Sequence, residues 1–120
     1  MIDHLGIYCK DVKKSREFYL KALKPLGLGV VMEFQDFTGI GAEGKPFFWI
    51  APGSPAPALH IAFAAQDRAQ VDAFYQAAIA AGGTDNGKPG LREHYHPHYY
   101  GAFVLDPDGH NIEAVCHRPA

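Results

Sequence analysis

The chain has 120 residues, of which 48% are hydrophobic and 20% charged, with a formal net charge of −2. That is one domain's worth of chain with enough apolar content for a core. It has neither the long basic stripe of a nucleic-acid binder nor the ~18-residue apolar run of a membrane span.

The N-terminus, MIDHLGIY, has neither the basic start nor the apolar stretch of a secretory signal. A cytoplasmic protein is therefore expected, with no nucleic-acid or membrane partner. Cys9 and Cys116 are expected to be buried thiols, because disulfides are rare in that compartment.

The first element is a strand in DHLGIYC. Leu5, Ile7 and Cys9 alternate with His4, Gly6 and Tyr8, so the two sets face opposite ways. Asp11 stands where a helix N-cap is wanted. The stripe Val12, Phe18, Tyr19, Ala22 and Leu23 marks a helix that Pro25 and Gly27 end. Three strand-like runs follow: 28–34, 37–42 and 46–51. The stretch PGSPAPA, 52–58, then reads as a linker, with three prolines and a glycine in seven positions.

The pattern begins again beyond it. The offset that carries His4 onto His60 also carries Asp11 onto Asp67, Phe18-Tyr19 onto Phe74-Tyr75, Ala22 onto Ala78 and Gly27 onto Gly83, without a gap. Leu59, Ile61 and Phe63 alternate with His60, Ala62 and Ala64 in a second opening strand. Val71, Phe74, Tyr75, Ala78 and Ile79 form a second helical stripe, which Gly82-Gly83 stop. Then come a poorly formed strand at 84–93, a better one at 99–105, a turn at Asp106-Pro-Asp-Gly109 and a last strand at 110–117. An internal repeat of this kind decides the architecture. The expected fold is α+β, two βαβββ modules in tandem with each helix on one face of a sheet. Module 1 covers about 1–52, the linker about 53–57 and module 2 about 58–120, as one domain.

Strand parity then selects a site. The apolar face of each opening strand belongs to its helix, so His4 and His60 lie on the other face beside small residues: Gly6 in one, Ala62 and Ala64 in the other. A pseudo-twofold pairing of the modules would bring both imidazoles to one cavity. In the last strand Glu113 alternates away from Ile112 and Ala114, and a carboxylate there is costly to bury unless it is paired or bound to a cation. Two imidazoles and a carboxylate on rigid strands match the ligand set of non-heme iron(II) oxygenases, and equally of catalytic zinc. Taken one at a time, each of the three reads as well as a hydrogen-bonded core residue.

Paired βαβββ units, a histidine opening each half and DPDGHNIEAV near the end resemble the vicinal oxygen chelate superfamily. That superfamily contains glyoxalase I, extradiol dioxygenases, fosfomycin-resistance transferases and bleomycin-resistance proteins. The resemblance implies a cupped, partly closed mixed β-sheet with helices on its outer face. It also implies a divalent ion (Fe2+, Mn2+, Ni2+ or Zn2+) held by His4, His60 and Glu113, and a small-molecule substrate with vicinal oxygens. The reaction would be dioxygenase-like or lyase-like, and the protein a homodimer. The fourth-strand ligand position of glyoxalase-like members falls near Phe48 or Trp49, neither of which binds metal. Glu33 would substitute only if it faced inward. The bleomycin-resistance members imply the alternative: a metal-free protein that binds an aromatic ligand against Trp49 and Phe48.

The histidine-rich stretch REHYHPHYY, 92–100, reads as the rim of that cavity rather than its metal centre, because Pro97 interrupts the strand and the spacing does not converge. Arg92 could grip a substrate carboxylate. Tyr95, Tyr99 and Tyr100 could stack or donate a hydrogen bond, and His96 or His98 could move a proton. Arg92, Tyr95, His96 and Tyr100 are the catalytic candidates. The bland reading of the same stretch is a solvated loop.

Overall fold

The computed structural model describes residues 2–120. The elements run β1 (Leu5–Cys9), α1 (Val12–Ala22), a 3-10 turn (Lys24–Leu26), β2 (Gly29–Phe34), β3 (Phe37–Ala42) and β4 (Lys45–Pro52). The second half repeats the plan with β5 (His60–Ala64), α2 (Arg68–Ala80), β6 (Thr84–Leu91), β7 (Tyr100–Leu105) and β8 (Asn111–Cys116). Each half makes its own four-stranded mixed sheet, ordered β1-β4-β3-β2 and β5-β8-β7-β6. No barrel closes. The opening strand of each half lies at a sheet edge, paired in parallel with the last strand of that half.

Both helices start as the aspartates require. Asp11 accepts from the Lys14 amide at 3.1 Å and Asp67 from the Gln70 amide at 2.8 Å, each satisfying a donor that has no partner inside the helix. Gly27, with φ of 82°, ends the 3-10 turn after α1 in the left-handed region that glycine adopts without strain. The buried stripe of α1 is Ser15, Phe18, Tyr19 and Ala22, with Val12 partly buried against the same core. In α2 it is Val71, Phe74 and Ala78, while Ile79 is 36% exposed at the margin of the stripe.

One core serves both halves. Phe48 on β4 meets Tyr19 of α1 edge-on at 5.0 Å and Phe63 of β5 edge-on at 5.3 Å. Cys9 and Cys116 are free thiols within that core. Burial pushes the Cys9 thiol up to about 11.

A polar latch joins the halves beside this core. The buried Asp106 carboxylate, in the turn between β7 and β8, accepts from the Tyr19 hydroxyl. Its other oxygen accepts from the amides of Asp108 and His110, both at 2.9 Å. Asp108 accepts from the Lys10 amide at 3.2 Å and from the Ser15 hydroxyl at 3.4 Å. Burial, then the Asp106 charge, hold the Tyr19 phenol well above its ordinary range, so it stays a donor.

The segment expected to be a poor strand is β6, eight residues long and well bounded. Its register slips between Asp85 and Gly87 and again between Gly87 and Gly90. The alternation that would announce a strand is therefore lost while the pairing survives.

Candidate functional site

On the second sheet, the face turned away from α2 carries the candidate site. In β8, Glu113 pairs in register with Ala62 of β5 on one side and Phe103 of β7 on the other. Its carboxylate is 1% exposed. Such a group must be partnered, and both oxygens are. Oε1 lies 2.8 Å from Nε2 of His60, and Oε2 accepts from the Tyr99 hydroxyl. The His60 ring is 54% exposed, so a buried carboxylate stands directly behind an accessible imidazole. Burial first, then the Glu113 hydrogen bond and charge, raise the Tyr99 phenol above its ordinary range. Tyr99 therefore keeps its proton and donates it.

His4, expected within the opening strand, lies just ahead of β1 at the edge of the other sheet. Its Nδ1 lies 2.9 Å from Asp3 Oδ1, and that contact, with the charge of Lys45, holds the Asp3 carboxyl below the usual range. His4 and His60 line one cavity of about 650 Å³ between the edge strands β1 and β5, with Leu28, Phe47, Leu59 and Phe63 among its walls. The structure thus brings His60 and Glu113 into contact and sets His4, hydrogen-bonded to Asp3, on the same cavity as His60, without gathering ligand atoms of all three within 4.8 Å of one another. Glu33 does not face inward. Its Oε1 pairs with Arg16 Nη2 of α1 at 2.5 Å, on the helix side of β2.

The residues of the rim divide. Tyr95 is 57% exposed and meets Tyr99 edge-on at 4.9 Å. His96 stacks on His117 with ring centres 4.5 Å apart, and Tyr99 stands edge-on to both. Arg92 is occupied elsewhere. Its guanidinium donates to the carbonyls of Gly90, Gly101 and Lys88 at 2.8, 2.5 and 2.8 Å and lies over the Phe103 ring. Lys88 and Gly90 belong to β6, whose register slips twice, and Gly101 to β7, so Arg92 ties the two strands together beside the bulges. Tyr100 faces the core and α2, where its hydroxyl donates to Asp72 at 2.6 Å. That hydrogen bond, with burial, raises its phenol. Tyr99 was expected, with Tyr95 and Tyr100, to stack or to donate a hydrogen bond, but it was not among the catalytic candidates. Its neighbour Tyr100 belongs to β7, and the strand alternation that separates the two was the available signal.

The first sheet repeats the geometry with other side chains. Gly6 pairs with Trp49, and Trp49 with Gly39, as Ala62 pairs with Glu113 and Glu113 with Phe103. Trp49 is therefore the counterpart of Glu113. Its indole lies across Gly39 and lines a second cavity of about 490 Å³ with His4, Gly6, Phe34 and Phe37. Phe48, the other residue near this position, is core.

A third cluster came from outside the expected set. Ligand atoms of Asp106, Asp108 and His110 lie within 4.8 Å of one another, a group that could hold a metal by ligand type. Both aspartates already accept the hydrogen bonds of the latch. The Leu59 amide donates to Nδ1 of His110 at 2.8 Å, so the neutral ring carries its proton on Nε2, which is buried without a partner. With one nitrogen accepting and the other protonated, that ring has no free lone pair for an ion.

Paired βαβββ halves, with a histidine opening each and an imidazole–carboxylate pair on an open sheet face, define a duplicated α+β ligand-binding scaffold. Residues 1–114 match the family described as the Glyoxalase/Bleomycin resistance protein/Dioxygenase superfamily, and the chain belongs to it. It is similar to a glyoxalase/bleomycin resistance protein from Albidiferax ferrireducens T118, with 32% identity, 98% of each chain covered and a TM-score of 0.82. The fold is shared at lower identity by two others. A glyoxalase/bleomycin resistance protein/dioxygenase family enzyme from Burkholderia phytofirmans PsJN has 19% identity, 98% of each chain covered and a TM-score of 0.75. Lactoylglutathione lyase from Agrobacterium tumefaciens has 16% identity, with 97% of this chain and 92% of that one covered and a TM-score of 0.69. Among curated proteins, none matches the chain by sequence. The superfamily includes enzymes, and its members commonly bind divalent metals and small molecules and often form dimers. No helix among the described residues is long and apolar enough to cross a membrane.

Proposed function

We propose that the chain is a divalent-metal-dependent enzyme acting on a small substrate with vicinal oxygens, by dioxygenase-like or lyase-like chemistry. The observation that carries this reading is the 2.8 Å contact between exposed His60 and buried Glu113. Imidazole nitrogen and carboxylate oxygen, both on strands, suit a borderline ion such as Fe2+, Mn2+, Ni2+ or Zn2+. His60 and Glu113 would hold it, with His4 completing the set from the other half. When bound, the ion supplies Lewis acidity toward a substrate oxygen.

The chain's own residues do the rest. Glu113 places a negative charge behind His60, and Tyr99 holds that charge in place by donating to it. Phe103 lies beside His60, with ring centres 6.1 Å apart, and walls the face. Tyr95 and His96 are the rim residues that would touch substrate. Arg92 and Tyr100 would act through the strands they tie down.

We read residues 1–120 as one working unit of two modules meeting at 53–57, set in the cytoplasm, where free buried thiols such as Cys9 and Cys116 persist. A homodimer is proposed, because Tyr8, Val30, Met32, Phe34 and Phe37 of the first half expose apolar side chains. Sedimentation giving twice the chain mass supports it; a monomer at all concentrations removes it.

The alternative is a metal-free protein that binds a planar aromatic ligand, and the cavity in front of Trp49 favours it. Elemental analysis of purified protein decides. One bound ion per chain, lost in His60→Ala, is the result expected of the enzyme. Metal-free protein whose Trp49 fluorescence is quenched by an aromatic ligand is the result expected of the binder.

A further inference from the structure

Tyr99 lies just ahead of β7, and its ring reaches forward along the strand, past Gly101, to Glu113. What lets it do so is Gly101. A Cβ at that position would lie 3.1 Å from Tyr99 Cε1 and 3.2 Å from Glu113 Oε2, tighter than ordinary van der Waals contact. The missing side chain is thus the space in which phenol and carboxylate meet.

Around this space the tyrosine is fixed from several sides. Its amide donates to the His96 carbonyl at 3.2 Å, and its carbonyl accepts from the Arg92 amide at 2.8 Å. Its ring stands edge-on to Tyr95, His96 and His117. Arg92 grips the Gly101 carbonyl itself at 2.5 Å. A phenol held this firmly leaves the carboxylate little freedom to rotate, and it aims Oε1 at His60.

We propose that Tyr99, in the space left by Gly101, is a positioning residue that orients the Glu113 carboxylate for ion binding beside His60. This rests on the metal-binding reading above. Partners in the outer shell of a metal site typically govern ~10–100-fold of its affinity. A fixed carboxylate contributes more to affinity than one that must first be ordered.

The experiment uses Co2+ alone as the probe, added to metal-free full-length protein. It compares wild type, Tyr99→Phe, Gly101→Ala and the double variant by calorimetry and by the visible d–d absorption of the bound ion. Tyr99→Phe removes one hydroxyl from an otherwise intact ring. It is expected to weaken Co2+ binding ~10-fold or more and to change the d–d spectrum, which a purely structural role would leave alone. Gly101→Ala keeps the hydroxyl and removes the space, and is expected to weaken binding comparably. The double variant is expected to lose no more than the larger single loss, because both changes break one device. Tyr99→Phe binding Co2+ with wild-type affinity and spectrum overturns the inference while leaving the metal reading intact. So do fully additive losses in the double variant. Wild type that binds no Co2+ overturns the metal reading, and the inference with it.

Discussion

The two halves of this chain hold nearly the same backbone and present opposite chemistry on it. At matched positions the first carries Gly39 and Trp49, the second Phe103 and Glu113. In one the third strand gives up its side chain and the fourth supplies a large ring. In the other the third strand supplies the ring and the fourth a short carboxylate. The summed bulk is roughly conserved, while the polar group appears only once. A repeated unit therefore fixes where side chains converge, and exchange within a cross-strand pair decides what they do. Polar readout collects on the second sheet and an aromatic floor on the first.

The comparison assumes that the halves stand or fall together, and Phe48 is where that is most exposed to test. It belongs to the first half but packs on Phe63 of the second as well as on Tyr19. Phe48→Ala is expected to cost about 3–5 kcal/mol, the usual loss for emptying a buried phenylalanine site. The denaturant transition should move as a single step. Two separate transitions, with the second half unmoved, would show that the halves are independent.

The latch comes next in size. Tyr19→Phe keeps the ring and strands one oxygen of the buried Asp106 without its donor, which should cost about 1.5–3 kcal/mol. The same substitution carries a pH signature. The Tyr19 phenol is raised in the folded protein, so its contribution is complete below the ordinary phenol value near 10 and is lost as pH rises beyond it. Cys9, raised from 9.0 to about 11, acts in the same direction over that lower window. Wild-type thermal stability should therefore fall from pH 9 upward. Tyr19→Phe should flatten the slope above 10 and Cys9→Ala the part between 9 and 11. An alkaline slope unchanged in both variants would mean that neither group titrates differently on folding.

Much of this was legible in the residues, for identifiable reasons. The repeat was legible because Asp11 and Asp67 cap their helices and the Phe-Tyr pairs pack beneath them, jobs that the backbone plan sets twice, with His4 and His60 at matching points before them. Parity placed Glu113 and His60 on one face, and the structure joins them. β6 was obscured because its two bulges break the period that announces a strand. The duties of Arg92 and Tyr100 were hidden because each side chain is taken up by groups that no sequence pattern announces: the Lys88, Gly90 and Gly101 carbonyls for one, Asp72 of α2 for the other. The His110 ring could not be read either, since its role depends on a single amide from Leu59, far from it in sequence.

The smallest expected effect bears most directly on the exchange between the halves. A Cβ at Gly39 would lie 2.7, 2.8 and 2.9 Å from three carbons of the Trp49 six-membered ring, closer than real contacts allow. Gly39→Ala must therefore move the indole. Its ring faces a cavity rather than packed core, so it can swing outward, and the cost should stay near the low end of overpacking, about 1 kcal/mol. Trp49 is the sole tryptophan, so its emission reports the movement without interference and should shift to the red as the ring meets water. The Co2+ affinity should stay within a factor of about two, since His60 and Glu113 do not line the cavity that the indole would enter. An unshifted emission would mean that the glycine is not what lets the ring lie down, and the exchange between the third and fourth strands would lose its physical basis.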